Sequence, residues 1–132
     1  MSLNKKILLA DDDEELLMTY RSFVEKAHFT VLIAHDGEEA LKIAFEQRPD
    51  IAVLDVDMPK KDGLAVLQEL RMDPWGRDLP IIILSGKAAD DSRLQKMTEW
   101  APTYYFVKGD QSLDAFMSMI RDIINGVSVS DR

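Results

Sequence analysis

The sequence predicts an α/β domain built on a doubly wound, five-stranded parallel sheet, and two observations carry that prediction. Five short β-rich apolar runs alternate with amphipathic segments, and each run is too short to be a buried helix. The runs are apolar almost throughout, as strands buried on both faces are, so the alternation implies right-handed crossovers with helices on both sides of the sheet.

The elements follow in order. ILLA (Ile7 to Ala10), TVLIA (Thr30 to Ala34), IAVLD (Ile51 to Asp55), IIILS (Ile81 to Ser85) and YYFVK (Tyr104 to Lys108) are the strands. Leu16, Leu17, Tyr20, Phe23, Val24 and Ala27 recur at helical spacing in the first intervening segment, and Ala40, Leu41, Ala44 and Phe45 in the second. A third helix follows Asp62 and runs through Leu64, Leu67 and Leu70; a fourth includes Leu94 and Met97. The fifth carries Leu113, Phe116, Met117, Ile120, Ile123 and Ile124, with Asn125 and Gly126 as its C-cap. The methionines and paired aromatics sit at these periodicities and are expected in the core. DPWGRDLP, from Asp73 to Pro80, reads as a longer loop before the fourth strand. No internal repeat, low-complexity block or linker divides the chain.

Composition narrows the function classes. The 132 residues, 46% hydrophobic, suit one domain across 1–132 with a core of about 5–125 and a tail of 126–132. A net charge of −8 argues against a broad electrostatic grip on nucleic acid or on an anionic membrane. The absence of cysteine excludes disulfides and thiolate metal sites. No apolar stretch approaches the roughly 20 residues that span a bilayer, and MSLNKK has no signal-peptide core, so a soluble cytoplasmic location is expected.

In a doubly wound sheet, ligands sit beyond the carboxyl ends of the strands. Asp11, Asp12 and Asp13 follow the first strand, while Asp55, Ser85 and Lys108 end the third, fourth and fifth. Taken singly, each has a structural use: an N-cap with acidic residues favouring a helix start, a strand-ending turn residue, a cap, a solvated strand end. Asp13, nearest the helix, is expected to be the N-cap. Convergence on one rim changes the reading. Carboxylates about 4 Å apart repel by roughly 4 kcal/mol per pair at an effective dielectric of 20, so Asp11, Asp12 and Asp55 need counter-charge. Lys108 offers one positive charge. With oxygen ligands alone, Mg²⁺ is the natural further cation, since it accepts one or two carboxylates, keeps waters and takes phosphate oxygens. The rim reads as a phosphoryl-handling site.

These residues resemble a known family. ILLADDDEEL, DGEEAL, PDIAVLDVDMPKKDG, IIILSG and YYFVK look like the successive signatures of bacterial two-component response-regulator receiver domains, from Lys6 to about Asn125. The resemblance implies the flavodoxin-like strand order 2-1-3-4-5. It implies that Asp55 is the phosphoacceptor, that Asp11 and Asp12 bind Mg²⁺ with Asp55 and the backbone carbonyl of Asp57, and that Ser85 and Tyr105 are the switch residues. Lys108 is then the lysine that pairs with the phosphoryl group, and Asp57 and Lys87 match variable, rate-tuning positions. Asp55 would take a phosphoryl group from a phosphohistidine as a carboxylate nucleophile while Mg²⁺ and Lys108 neutralise charge. The chain would be a signalling phosphoacceptor with self-catalysed phosphorylation and dephosphorylation, not an enzyme acting on a separate substrate. Implied partners are a sensor histidine kinase or phosphotransfer protein, a downstream effector protein or domain, and a phosphorylation-dependent second copy, with no nucleic acid or membrane bound by this domain. The residues after Asn125 are too few for an effector, leaving a stand-alone receiver or the receiver part of a larger protein.

Departures from the family pattern qualify this reading. The family's usual glycine and proline are Trp100 and Gly109 here. The Lys-Pro step is normally cis, and a non-proline cis bond costs roughly 2.5 to 4 kcal/mol, so Lys108 is expected on a different loop path. His28 stands where a helix-ending glycine is common, and with His35 it lacks metal-site spacing; both are expected to be structural or superficial. Opposite charges on Asp57 and Lys87 suggest a salt bridge across the site entrance, set against two solvated charges. A receiver-like interaction module that no longer takes phosphate is the main alternative. A haloacid-dehalogenase-type aspartyl-phosphate hydrolase is less favoured because its acidic pair comes last in the chain. A flavodoxin-like nucleotide binder is disfavoured by aspartates that would repel phosphate and by the lack of a P-loop.

Overall fold

The computed structural model describes residues 5–86, 90–109 and 112–126. The elements are β1 Lys6–Ala10, α1 Glu14–Lys26, β2 Thr30–Ala34, α2 Gly37–Gln47, β3 Ile51–Asp55, α3 Gly63–Met72, β4 Ile81–Ser85, α4 Asp91–Trp100, β5 Tyr104–Val107 and α5 Leu113–Ile124. All strand pairs are parallel, in the order β2-β1-β3-β4-β5. The expected alternation and strand order are therefore found. Asp73 to Pro80 is more ordered than a loop, since a short 3₁₀ turn occupies Gly76–Asp78.

The two-residue period of the strands divides the core. Leu8, Ala52, Leu54, Ile81 and Ile83 pack with Leu41, Leu64, Leu67 and Leu70 from α2 and α3. Their strand neighbours Ile7, Leu9, Ile51, Val53, Ile82 and Leu84 face Leu17, Val24, Phe116 and Ile120 from α1 and α5 on the other side. Continuous apolar strands are thus explained, because both side-chain sets are buried.

Side-chain caps start the helices at defined places. Asp13, Asp36, Asp62, Asp90 and Ser112 each accept an amide hydrogen three residues on, removing one unpaired donor from the first turn. Asp13 has its expected role, so it is committed to α1. His28 takes φ of 70° after α1, the left-handed backbone expected where a glycine is common.

Several apolar positions are not core. Phe45 is 41% exposed, Leu94 50%, Met18 61% and Met72 66%, correcting their expected burial. Helical spacing identifies a face but not the depth to which it is covered, and α4 has no fully buried residue among its ten. Met97 and Trp100 hold α4 to the α2–α3 side by partial burial.

Candidate functional site at the carboxyl rim of the sheet

Ends of β1 and β3 bring Asp11 and Asp55 together, because Ala10 pairs with Leu54 in parallel register. Both carboxylates are buried, whereas Asp12 is exposed. Oxygens of Asp11, Asp12 and Asp55 lie within 4.8 Å of one another, a separation at which each charge pair repels by on the order of 3 kcal/mol at an effective dielectric of 20. Asp11 Oδ1 accepts from the Asp13 amide at 2.9 Å, and its Oδ2 accepts from Lys108 Nζ, also at 2.9 Å.

Lys108 Nζ lies 2.9 Å from Asp55 Oδ1 as well. That approach is an ion pair whose angle departs from hydrogen-bond alignment, so this buried oxygen has no directed donor. Burial pushes the Asp55 carboxyl up to about 6; Lys108 opposes the rise, while Asp11 and then Asp57 add to it. Burial works against the charge on Lys108, yet the Asp11 and Asp55 carboxylates outweigh it and raise the ammonium above its ordinary value. One cation is thus shared between two buried anions.

The expected strand end at Lys108 moves back to Val107, with the Lys108 amide donating to the Ser85 carbonyl at 2.7 Å. Gly109 then takes φ of 86°, which proline, fixed near −65°, does not adopt. The different path expected here is present, and Lys108 still reaches the carboxylates. The turn into β5 is held by Arg71 of α3, which donates to the carbonyls of Trp100 and Ala101 at 3.1 Å each.

DVDMPKKDG runs from the end of β3 into α3. Gly63 opens α3 against the Asp55 backbone, where a Cβ would meet the Asp55 carbonyl oxygen, and its amide donates to Val56 at 3.0 Å. The third helix therefore abuts the strand end that presents Asp55.

Ser85 is fully buried. Tyr105 pairs with Ile83 in the sheet and is half-buried against the α2–α3 core, the side that Ser85 shares by alternation. Asp57 lies exposed beyond β3, and Lys87 lies outside the described residues. The cation seen on Asp57 is Arg93: Nη2 donates to Asp57 Oδ1 at 3.0 Å and Nη1 to Ser85 Oγ at 3.2 Å. Arg93 belongs to no motif in the sequence, and only its place in the first turn of the helix after Ser85 hints at it. His35, exposed, lies 3.1 Å from Glu39 and 3.4 Å from Glu14, consistent with its expected surface role.

Two buried aspartates, a buried hydroxyl and a lysine thus gather at the carboxyl ends of β1, β3, β4 and β5 of a doubly wound parallel domain. The sequence pattern of the response regulator receiver domain matches residues 7–120, and the chain belongs to that family. Response regulator MprA of Mycobacterium ulcerans is 33% identical over 129 residues, covering 98% of this chain and 54% of that protein. The Bacillus subtilis alkaline phosphatase synthesis transcriptional regulatory protein PhoP is 42% identical over 85 residues, 64% of this chain and 35% of that protein. The chain thus spans about half or less of these curated relatives' length.

Among solved structures, Vibrio cholerae chemotaxis protein CheY4 superposes with a TM-score of 0.83 at 24% identity, over 92% of this chain and 99% of its own. The receiver domain of sensor histidine kinase PA1611 from Pseudomonas aeruginosa, with a magnesium ion coordinated in its active-site cleft, also gives 0.83 at 24% identity. That comparison covers 93% of this chain and 99% of that one. At such identities the likeness is one of fold. No helix among the described residues is long and apolar enough to cross a membrane.

Proposed function

We propose that this chain is the phosphoacceptor domain of a two-component system, taking a phosphoryl group from a sensor histidine kinase or phosphotransfer protein onto Asp55. The observation that carries the reading is the Asp55 carboxylate itself: buried, mostly ionised at neutral pH, paired with Lys108, and carrying an oxygen with no directed donor. As the oxygen–phosphorus bond forms on Asp55, the nitrogen–phosphorus bond of the donor breaks. Lys108, already between Asp11 and Asp55, supplies fixed positive charge to the transferring oxygens. Ser85 then donates its hydroxyl hydrogen to the phosphoryl group, and Tyr105, beside it on the same face, moves further inward.

The donor set fits Mg²⁺. Asp11, Asp12 and Asp55 offer three closely spaced carboxylates with one shared lysine, which leaves negative charge uncompensated. With the Asp57 carbonyl they would hold the ion, which would supply Lewis-acid neutralisation of charge on carboxylate and phosphoryl oxygens. Asp57, exposed beyond β3, and Lys87, by its match to a variable position of the family, complete the reading as residues that tune hydrolysis. Upstream kinases and downstream effectors are the partners this role requires, and the charge of −8 disfavours direct nucleic-acid binding by this domain.

Intact-mass analysis after incubation with acetyl phosphate and Mg²⁺ tests the proposal. A single phosphoryl adduct on the wild type, absent from Asp55→Asn, is expected. An unmodified wild type, active donor being verified on a control receiver, would favour the interaction-module alternative.

A further inference from the structure

The Arg93 guanidinium is a feature of the rim that the phosphoacceptor reading leaves without a task. Its two terminal nitrogens divide between two loops, one to Ser85 Oγ at the end of β4 and one to Asp57 beyond β3. The Arg93 side chain is only 18% exposed while Asp57 is 64% exposed, so the fork is seated inward on the serine and outward on the carboxylate. The backbone amide of Arg93 is simultaneously fixed by the N-cap Asp90 at 2.9 Å. Because α4 buries none of its ten residues fully, polar ties at its first turn have an unusual share in holding it.

We infer that Arg93 is a positioning residue that latches α4 to the unphosphorylated site, through a fork to Ser85 and Asp57 that phosphorylation must open. The inference rests on the phosphoacceptor reading and adds the residue that carries the change from Ser85 into α4. A serine hydroxyl accepts from Arg93 only where its oxygen now stands. Drawing that oxygen toward a phosphoryl group on Asp55 lengthens a contact that already measures 3.2 Å. Losing that contact loosens the first turn of α4 from its resting place.

Arg93→Lys separates this role from simple electrostatic help. Lysine keeps the positive charge but cannot bridge two acceptors in the fixed geometry of a guanidinium. A latch stabilises the resting state, so its loss should tighten beryllofluoride binding in the presence of Mg²⁺ by about threefold to tenfold in both Arg93→Lys and Arg93→Ala, the range conveyed by one lost hydrogen bond. If Arg93 merely attracts the anion, Arg93→Lys should bind as the wild type does and Arg93→Ala more weakly. Hydrogen exchange of the first-turn amides of α4 gives a second readout. It should rise in both variants without any phosphoryl mimic, and beryllofluoride should add little more, whereas in the wild type beryllofluoride should produce the rise. Unchanged exchange in the variants, or unchanged or weakened binding by Arg93→Lys, overturns the latch. A wild type that binds no beryllofluoride and takes no phosphoryl group overturns the phosphoacceptor reading and, with it, the latch; binding by the wild type with unaltered Arg93→Lys overturns the latch alone.

Discussion

Replacing Asp55 by asparagine should stabilise the metal-free fold, and only at a pH where Asp55 is ionised. The carboxyl lies at about 6 in the folded protein against an ordinary 3.8, with burial as the main cause. Between these values the folded state binds the proton and the unfolded state does not. The stabilising effect of the protonated group is therefore complete below 3.8 and is lost as pH rises through 6. At about 1.4 kcal/mol per pH unit the full difference is about 3 kcal/mol, and water at the rim reduces it to about 1 to 3 kcal/mol. Asparagine does not titrate, and it leaves Lys108 with Asp11. Urea denaturation in EDTA should show Asp55→Asn more stable than the wild type by that amount at pH 8, with the advantage shrinking steadily toward pH 4. A difference that is the same at pH 8 and pH 4.5, or an asparagine variant less stable at both, would refute the argument that burial of an ionised Asp55 strains the metal-free fold.

Magnesium should raise the thermal midpoint, by an amount equivalent to about 2.7 kcal/mol at a hundred times its dissociation constant, and Asp12→Asn should raise the metal-free midpoint while blunting the response. Lys108→Met should cost about 3 to 5 kcal/mol in chemical denaturation at pH 8 by leaving Asp11 and Asp55 buried without their cation, and less at pH 5 where Asp55 is largely protonated. Gly63→Ala should destabilise by about 2 to 4 kcal/mol because its Cβ meets the Asp55 backbone. Gly109→Ala, with a positive φ but open space around it, should cost only about 1 kcal/mol in the same assay. Beryllofluoride should shift the amide resonances of Tyr105 and of the first turn of α4 as well as those near Asp55; changes confined to the Asp55 loop would sever the proposed coupling.

Legibility differed between parts of the chain for identifiable reasons. Apolar runs four or five residues long and helical spacing in between were sufficient for the five strands and five helices, because both signals are periodicities read within a single element. The spacing erred for Phe45 and Leu94, since an apolar position on a helix is buried only if another element arrives to cover it. The candidate residues Asp11, Asp55, Ser85 and Lys108 could be named because each stands at or just after a strand end, and a parallel sheet brings all such ends to one rim. Strand order itself came only through the family resemblance, as local patterns do not say which strands are neighbours.

By itself, then, the order of residues determined the class of fold, the Asp13 cap and the set of side chains delivered to the rim, all of which depend on local periodicity and on positions at element ends. Tertiary structure alone decided how those side chains pair. Lys108 meets Asp11 across ninety-seven positions of chain and Arg93 meets Asp57 across thirty-six, distances over which no spacing rule operates. It also decided that Asp11 and Asp55 are buried while Asp12 stays in water, although all three are aspartates next to apolar strands. That difference follows from the register of β1 on β3 and from the close approach of Gly63 to the Asp55 backbone, and the charge state of the site depends on it through desolvation.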